Sequence, residues 1–175
     1  AEVHFNLGGL YLLRDMFPSA MESFEKVIEL DPTDTMAYAN LAAAYDMLKL
    51  YDKSIISLRK VLMFNPEDKE LRAALSNAYF NAERYEEAID AAQVVVEIDD
   101  KDPQAFCNLG SCYSVLSMVD DAIGAFKKAS ELAPDYSLPH TNLGTLYANM
   151  GRPETALKEF KLAVGMNPQD TAAWL

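Results

Sequence analysis

Residues 109–134 read LGSCYSVLSMVDDAIGAFKKASELAP, and residues 143–168 read LGTLYANMGRPETALKEFKLAVGMNP. The second string is the first displaced by 34 positions, with Leu-Gly, Tyr, Ala, Phe and Pro falling at matching offsets. The same shift, counted from Ala1, organises the whole chain. Position seven is Leu7, Leu41, Leu75, Leu109 and Leu143, and position eleven is Tyr11, Tyr45, Tyr79, Tyr113 and Tyr147. Position twenty is Ala20, Ser54, Ala88, Ala122 and Ala156, and position thirty-two is Pro32, Pro66, Asp100, Pro134 and Pro168. Five periods fill residues 1–170 (1–34, 35–68, 69–102, 103–136 and 137–170), and Thr171–Leu175 begin a sixth. A repeat of this length buries its apolar face against its neighbour, which predicts a solenoid with an extended binding surface.

Within one period the apolar spacing is helical twice over. Val3, Leu7, Leu10, Tyr11 and Leu13 mark a first helix, and Ala20, Met21, Phe24, Val27, Ile28 and Leu30 a second. The pattern breaks at Asp15–Phe17 for a tight turn. Pro18 opens the second helix, and Asp31-Pro32 closes it because the residue before proline is pushed out of the helical region. The chain is therefore expected to be all-α, with ten full helices in antiparallel pairs, no strand, and an eleventh helix starting at Thr171. Small residues recur at position eight (Gly8, Ala42, Ser76, Gly110, Gly144), as two helices need where they approach closely. Position twenty-four (Phe24, Leu58, Ala92, Phe126, Phe160) fills the space between them.

The charge narrows the partners. The chain of 175 residues carries 27 acids against 15 bases, a net −12. That balance argues against nucleic acid and against an anionic membrane surface. Ten of the acids have a local role: Asp34, Asp68, Asp102 and Asp170 stand at expected helix N-caps, and Asp52, Glu86, Glu87, Asp120, Asp121 and Glu154 in the first turn of second helices. Charge per period runs −5, 0, −5, −2 and 0. Cys107 and Cys112, five apart on one predicted helix, fit neither a disulfide framework nor a zinc spacing, and read as reduced thiols of a cytoplasmic protein. No run spans a bilayer and no signal peptide is present. The chain opens on Ala and stops inside a predicted helix, as an excerpt of a longer protein would.

These residues resemble the tetratricopeptide repeat. Leu7-Gly8, Tyr11, Ala20, Phe24, Val27 and Pro32 carry the match in the first period. Leu109-Gly110, Tyr113, Ala122, Phe126, Ala129 and Pro134 carry it in the fourth, and Leu143-Gly144, Tyr147, Ala156, Phe160, Ala163 and Pro168 in the fifth. The third period departs most, with Arg72, Ala92 and Asp100, and a looser core is expected there. The resemblance implies a right-handed superhelical α-solenoid. The first helix of each pair then lines a concave groove, with positions two, five, six, nine, twelve and thirteen facing inward.

Position six reads Asn6, Asn40, Ala74, Asn108 and Asn142, a ladder of carboxamides that offer a donor and an acceptor to an extended peptide backbone. The alternative is that they satisfy local backbone groups. Asn77, Thr145 and Asn149, with Asn81, Ser111 and Ser114, add neutral polar lining, and Phe5, Met36, Met47, Phe80 and Leu138 offer apolar pockets. Positions two, five and six hold no Lys or Arg (Cys107 and Thr141 stand among them), so the basic clamp with which some relatives grip acidic tails is absent. The groove suits a neutral to mildly basic peptide. A second surface is apolar: Ile56 and Met63 stand where glutamates are usual, with Val94 near them.

Nothing in the sequence assembles a catalytic or metal site. His4 and His140 share position four and read as packing residues, and Leu7-Gly8-Gly9-Leu10 lies inside a helix rather than in a phosphate loop. The expectation is a non-enzymatic protein–protein interaction scaffold without cofactor. The alternative is the substrate-recognition arm of a larger enzyme, such as an O-GlcNAc-transferase-like glycosyltransferase. End-to-end self-association of the fragment is also expected, through the flank around Leu146, Leu162 and Met166, next to Trp174 and Leu175, and through the outer flank of the first period.

Overall fold

The computed structural model describes residues 1–167. It contains ten α-helices and, among the described residues, no strand. In chain order they are α1 (Glu2–Leu12), α2 (Phe17–Leu30), α3 (Thr35–Met47), α4 (Tyr51–Leu62), α5 (Lys69–Asn81), α6 (Tyr85–Ile98), α7 (Pro103–Val115), α8 (Val119–Leu132), α9 (Leu138–Asn149) and α10 (Pro153–Met166). Each 34-residue period is thus one helix pair, as its apolar spacing predicts. The eleventh helix expected from Thr171 lies outside the described residues, as do Pro168 and Asp170. The packing divides into two compact units, Ala1–Ala91 and the part from Ala92 onward.

The ends of the helices follow from local chemistry. Asp34 accepts from the Ala37 amide at 2.9 Å and Asp68 from the Leu71 amide at 3.0 Å. Asp102 accepts from the Gln104 and Ala105 amides at 2.9 and 3.1 Å. These carboxylates satisfy the orphan donors of α3, α5 and α7 and sit at the positive end of each helix dipole. The fifth period has Tyr136 at this position, and α9 starts after Ser137 without a side-chain cap. The acids Asp52, Glu86, Glu87, Asp120, Asp121 and Glu154 do lie in the first turns of α4, α6, α8 and α10.

The turn inside each pair is set by backbone alone. Position fifteen is left-handed in every period, at Asp15, Lys49, Glu83, Ser117 and Gly151, with φ of 54°, 59°, 60°, 60° and 69°. Around it the amide of position sixteen reaches back to the carbonyl of the position-eleven tyrosine, as from Leu50 to Tyr45 at 2.8 Å and Met118 to Tyr113 at 2.8 Å. The amide of position fifteen bonds the carbonyl of position twelve, as from Lys49 to Asp46 at 2.9 Å. These two bonds are the Schellman motif. Only Gly151 adopts its φ without a Cβ penalty.

In the first unit, Ala20, Phe24 and Val27 of α2 pack with Ala37, Leu41, Ala44 and Tyr45 of α3. In the second, Ala122, Phe126 and Ala129 of α8 pack with Cys107 of α7 and with Leu143, Leu146 and Tyr147 of α9. The small residue at position eight faces the ring at position twenty-four. A Cβ on Gly8, Gly110 or Gly144 would stand 2.8, 2.6 or 2.5 Å from Phe24, Phe126 or Phe160. In the third period the Ser76 hydroxyl instead donates to the Ala88 carbonyl at 2.9 Å, so a buried hydrogen bond ties α5 to α6. The position-eleven tyrosines also reach the preceding period: Tyr45 donates to Glu25 at 2.8 Å, and Gln93 donates to the Tyr113 hydroxyl at 3.4 Å.

One flank expectation changes. Leu146 is buried in the α8–α9 core, so it is not part of a bare flank, whereas Leu162 is exposed. On α1, Val3, Leu7 and Leu10 are exposed, although their counterparts Ala37, Leu41 and Ala44 are buried against α2. His140 is not merely a packing residue, because its Nδ1 stands 2.8 Å from Glu159 on α10.

Candidate functional site

The first helices of the pairs carry the polar residues singled out by their offset. In the first unit, Asn6 on α1 and Asn77 on α5 are exposed and Asn40 on α3 is half-buried. In the second unit, Asn108 on α7 and Asn142 on α9 are half-buried, and Thr145 and Asn149 on α9 are exposed. Asn142, Thr145 and Asn149 follow one another at intervals of three and four, so they share one stripe of α9. The side chain of neither Asn40 nor Asn142 makes a hydrogen bond with another described residue. A half-buried carboxamide in that state holds two donors and an acceptor available for a ligand. Thr145 spends its proton on the Thr141 carbonyl at 3.0 Å, which leaves its oxygen as an acceptor.

Asn108 sits in a network the sequence did not disclose. Its Oδ1 accepts from Gln104 Nε2 at 2.9 Å, one helical turn back. Gln104 Oε1 in turn accepts from the Tyr136 hydroxyl. Tyr136 replaces the usual capping Asp, and the side chain freed from capping reaches across to α7 instead. Its hydroxyl also faces the Cys107 thiol. Burial pushes the Cys107 thiol to about 12 and Cys112 to about 11, and raises Tyr136 to about 12. Both cysteines are free and protonated at neutral pH.

Position five is corrected by the structure. Cys107 is only 1% exposed and packs with Phe126 and Tyr147, and Thr141 is buried, so neither lines a groove. Their Cβ vectors point toward the second helix because position five lies one turn before position eight, which is buried in every period. Two of the expected apolar pockets are likewise filled from within: Phe5 meets Phe24 edge to face at 5.8 Å, and Phe80 meets Tyr85 at 5.4 Å.

Met36 behaves differently. It is exposed and, with Ala39, Val61, Phe64, Leu71 and Glu70, lines a cleft of about 420 Å³ in the first unit. Met36 and Asn40 are one turn apart on the same face of α3. An apolar pocket beside a carboxamide is the arrangement that seats one side chain and fixes the adjoining backbone. Among the described residues no group of His, Cys, Asp or Glu could hold a metal ion. No described helix is long and apolar enough to cross a membrane.

Paired helices with a strict 34-residue period, closed by Schellman turns and, in three periods, locked by a glycine against a ring, define a helical repeat module. The chain belongs to the tetratricopeptide repeat family. Models of that repeat match residues 1–34, 23–56, 51–106, 103–136 and 125–158. No curated protein sequence matches the chain. Among solved structures it is similar to the crystal structure of MamA, at 25% identity and a TM-score of 0.82 over 93% of this chain and 95% of that one. It is similar in fold to MamA 41-end from Desulfovibrio magneticus RS-1, at 20% identity and a TM-score of 0.86 over 97% of each chain. It also matches YrrB, described as a TPR protein with an unusual peptide-binding site, at 24% identity and a TM-score of 0.76 over 98% of this chain and 88% of that one.

Proposed function

We propose that this protein is a non-catalytic interaction scaffold whose first helices bind an extended peptide through their carboxamides. The observation that carries the reading is Asn40, half-buried without a hydrogen-bond partner among the described residues and one turn from Met36 at the mouth of the apolar cleft. On α9, Asn142 with Thr145 and Asn149 offers a second stretch of the same chemistry. Asn6 and Asn108 share the offset of Asn40 and Asn142, and Asn77, at position nine, completes the set. The peptide-binding description of YrrB supports the same kind of ligand. With no Lys or Arg at positions two, five and six, the preferred peptide is neutral to mildly basic.

The test uses an array of 15-residue neutral and basic peptides. A peptide that binds is remade with N-methylated amides, which removes its backbone donors and leaves its side chains. Each lost carboxamide bond should cost about 1 kcal/mol, so Asn40→Ala should weaken binding at the first unit about fivefold, and Asn142→Ala binding at the second unit by about the same factor. Unchanged affinity for the N-methylated peptide, or in both variants, rejects backbone recognition by these residues.

A further inference from the structure

We infer that the outer face of α4 is a second interaction surface, built for an amphipathic segment of another protein with apolar anchors and carboxylates. The reasoning starts from the repeat. Positions twenty-two and twenty-nine read Glu22 and Glu29, Asp90 and Glu97, Gly124 and Glu131, and Lys158 and Gly165 in four of the five periods. In the second period alone both are large and apolar, as Ile56 and Met63. They are 68% and 76% exposed, so the fold does not use them. About two turns apart, on one side of α4 and at its C-cap, and without a buried role, they cost solubility and contribute nothing to the core.

The structure adds what the sequence did not show. Ile56 and Met63 line a cleft of about 420 Å³ with Tyr38 of α3 and with Arg59 and Lys60 of α4. A second cleft of about 450 Å³ adjoins it, sharing Tyr38 and Ile56. Arg59 and Lys60 form no ion pair with any described residue, although acids outnumber bases 27 to 15 in the chain. Two unpaired cations beside an apolar cleft complement a ligand that brings carboxylates and apolar side chains together. That is the opposite of what the first helices offer. Val94, expected near this patch, is half-buried and belongs to the second unit.

The probe is a labelled 12-residue peptide with two Leu and one Phe interspersed with four Glu, alongside a twin with Lys in place of Glu. Fluorescence anisotropy and amide chemical shifts are read on the full chain. The Glu peptide should bind about tenfold or more tightly than its twin at low salt, with shifts centred on Tyr38, Ile56 and Met63. Ile56→Glu or Met63→Glu should abolish that binding while circular dichroism stays unchanged, since both sites are exposed. Arg59→Glu with Lys60→Glu should reverse the charge preference. Failure of both peptides at millimolar concentration overturns the proposal. So does equal binding of the twins, or binding of the Glu peptide that survives Met63→Glu. Concentration-dependent self-association that Met63→Glu removes also overturns it, because the face would then be occupied by a second copy.

Discussion

The second and fourth periods share one backbone and solve the meeting of their helices differently. In the fourth, Gly110 lets the Phe126 ring lie against the α7 backbone, and the ring is 1% exposed. In the second, Ala42 occupies the glycine's place and Leu58 the ring's, and both are buried. A methyl gained on one helix is offset by a smaller side chain on the other. The fourth period keeps apolar or weakly polar groups inside, with Ala122 at position twenty and Cys107 and Cys112 nearby. The second buries Ser54 at that position, and both the Ser54 hydroxyl and one oxygen of Asp46 lack a hydrogen-bond partner among the described residues. Ser54 stands near enough to Asp46 to favour its charged form slightly but not in bonding geometry. Burial outweighs this and raises the Asp46 carboxyl above its usual 3.8. The same scaffold therefore tolerates either close packing or an unsatisfied polar pair.

The largest effect should come from forcing one solution onto the other. Gly110→Ala puts a Cβ 2.6 Å from a ring with no room to move. Overpacking of about 1–3 kcal/mol should exceed the roughly 1 kcal/mol that alanine gains in helix propensity, for a net loss measured by urea denaturation. Adding Phe126→Leu recreates the Ala42–Leu58 pairing and should restore part of the loss. If the double variant is no more stable than Gly110→Ala alone, the two positions are not a coupled pair. Gly144→Ala should cost less, because Phe160 is only half-buried and can swing.

Next in size is the polar pair. Ser54→Ala makes the second period resemble the fourth and should stabilise it by about 1 kcal/mol, because an unsatisfied buried hydroxyl is removed. A destabilised variant would mean that the hydroxyl has a partner in solution. Asp46→Asn should show itself through pH. A carboxyl with a raised folded pKa binds its proton more tightly when folded, so its contribution is fullest below 3.8 and is lost as pH rises through the folded value. Melting curves from pH 3 to 7 should therefore show the variant gaining on the wild type as pH rises. A constant difference across that range contradicts the buried-charge reading.

Smaller still, Lys49→Gly and Ser117→Gly should each stabilise by about 0.5–1 kcal/mol, since only glycine takes the left-handed turn without penalty. The two gains should match, because φ is 59° and 60° at the two sites. Hydrogen exchange at the turn amides separates them. Finally, Cys107 and Cys112 should resist iodoacetamide at pH 7 in the folded protein and react on unfolding, as burial and thiols raised to about 12 and 11 require.

The helices and their pairing were legible because an amphipathic period is written in side chains. So were the caps at Asp34, Asp68 and Asp102, whose chemistry is local. The one-to-one match of Gly110 with Phe126 was half legible: small and large residues stood at the right offsets, but the 2.6 Å approach that couples them is a property of the packed backbone. The left-handed turn was not legible, because Asp15, Lys49, Glu83 and Ser117 share no side-chain preference. Offsets failed at the groove for a related reason. Position five carries polar or neutral residues, yet Cys107 and Thr141 turn inward, and only coordinates reveal which way a marginal stripe faces. Tyr136 and Gln104 were missed because their contact joins residues 32 apart through a replaced cap.

The Schellman turn has a consequence for how such a chain can change over time. Its two closing bonds run between main-chain groups, so beyond the common Cβ penalty nothing in the joint distinguishes one side chain from another at position fifteen. An acid, a base, a hydroxyl and a glycine already occupy that site in different periods. Mutation can therefore alter the charge worn at each joint while the helices it connects stay where they are. A lineage could retune the surface of one period after another in single steps, with the fold indifferent to the order in which they came.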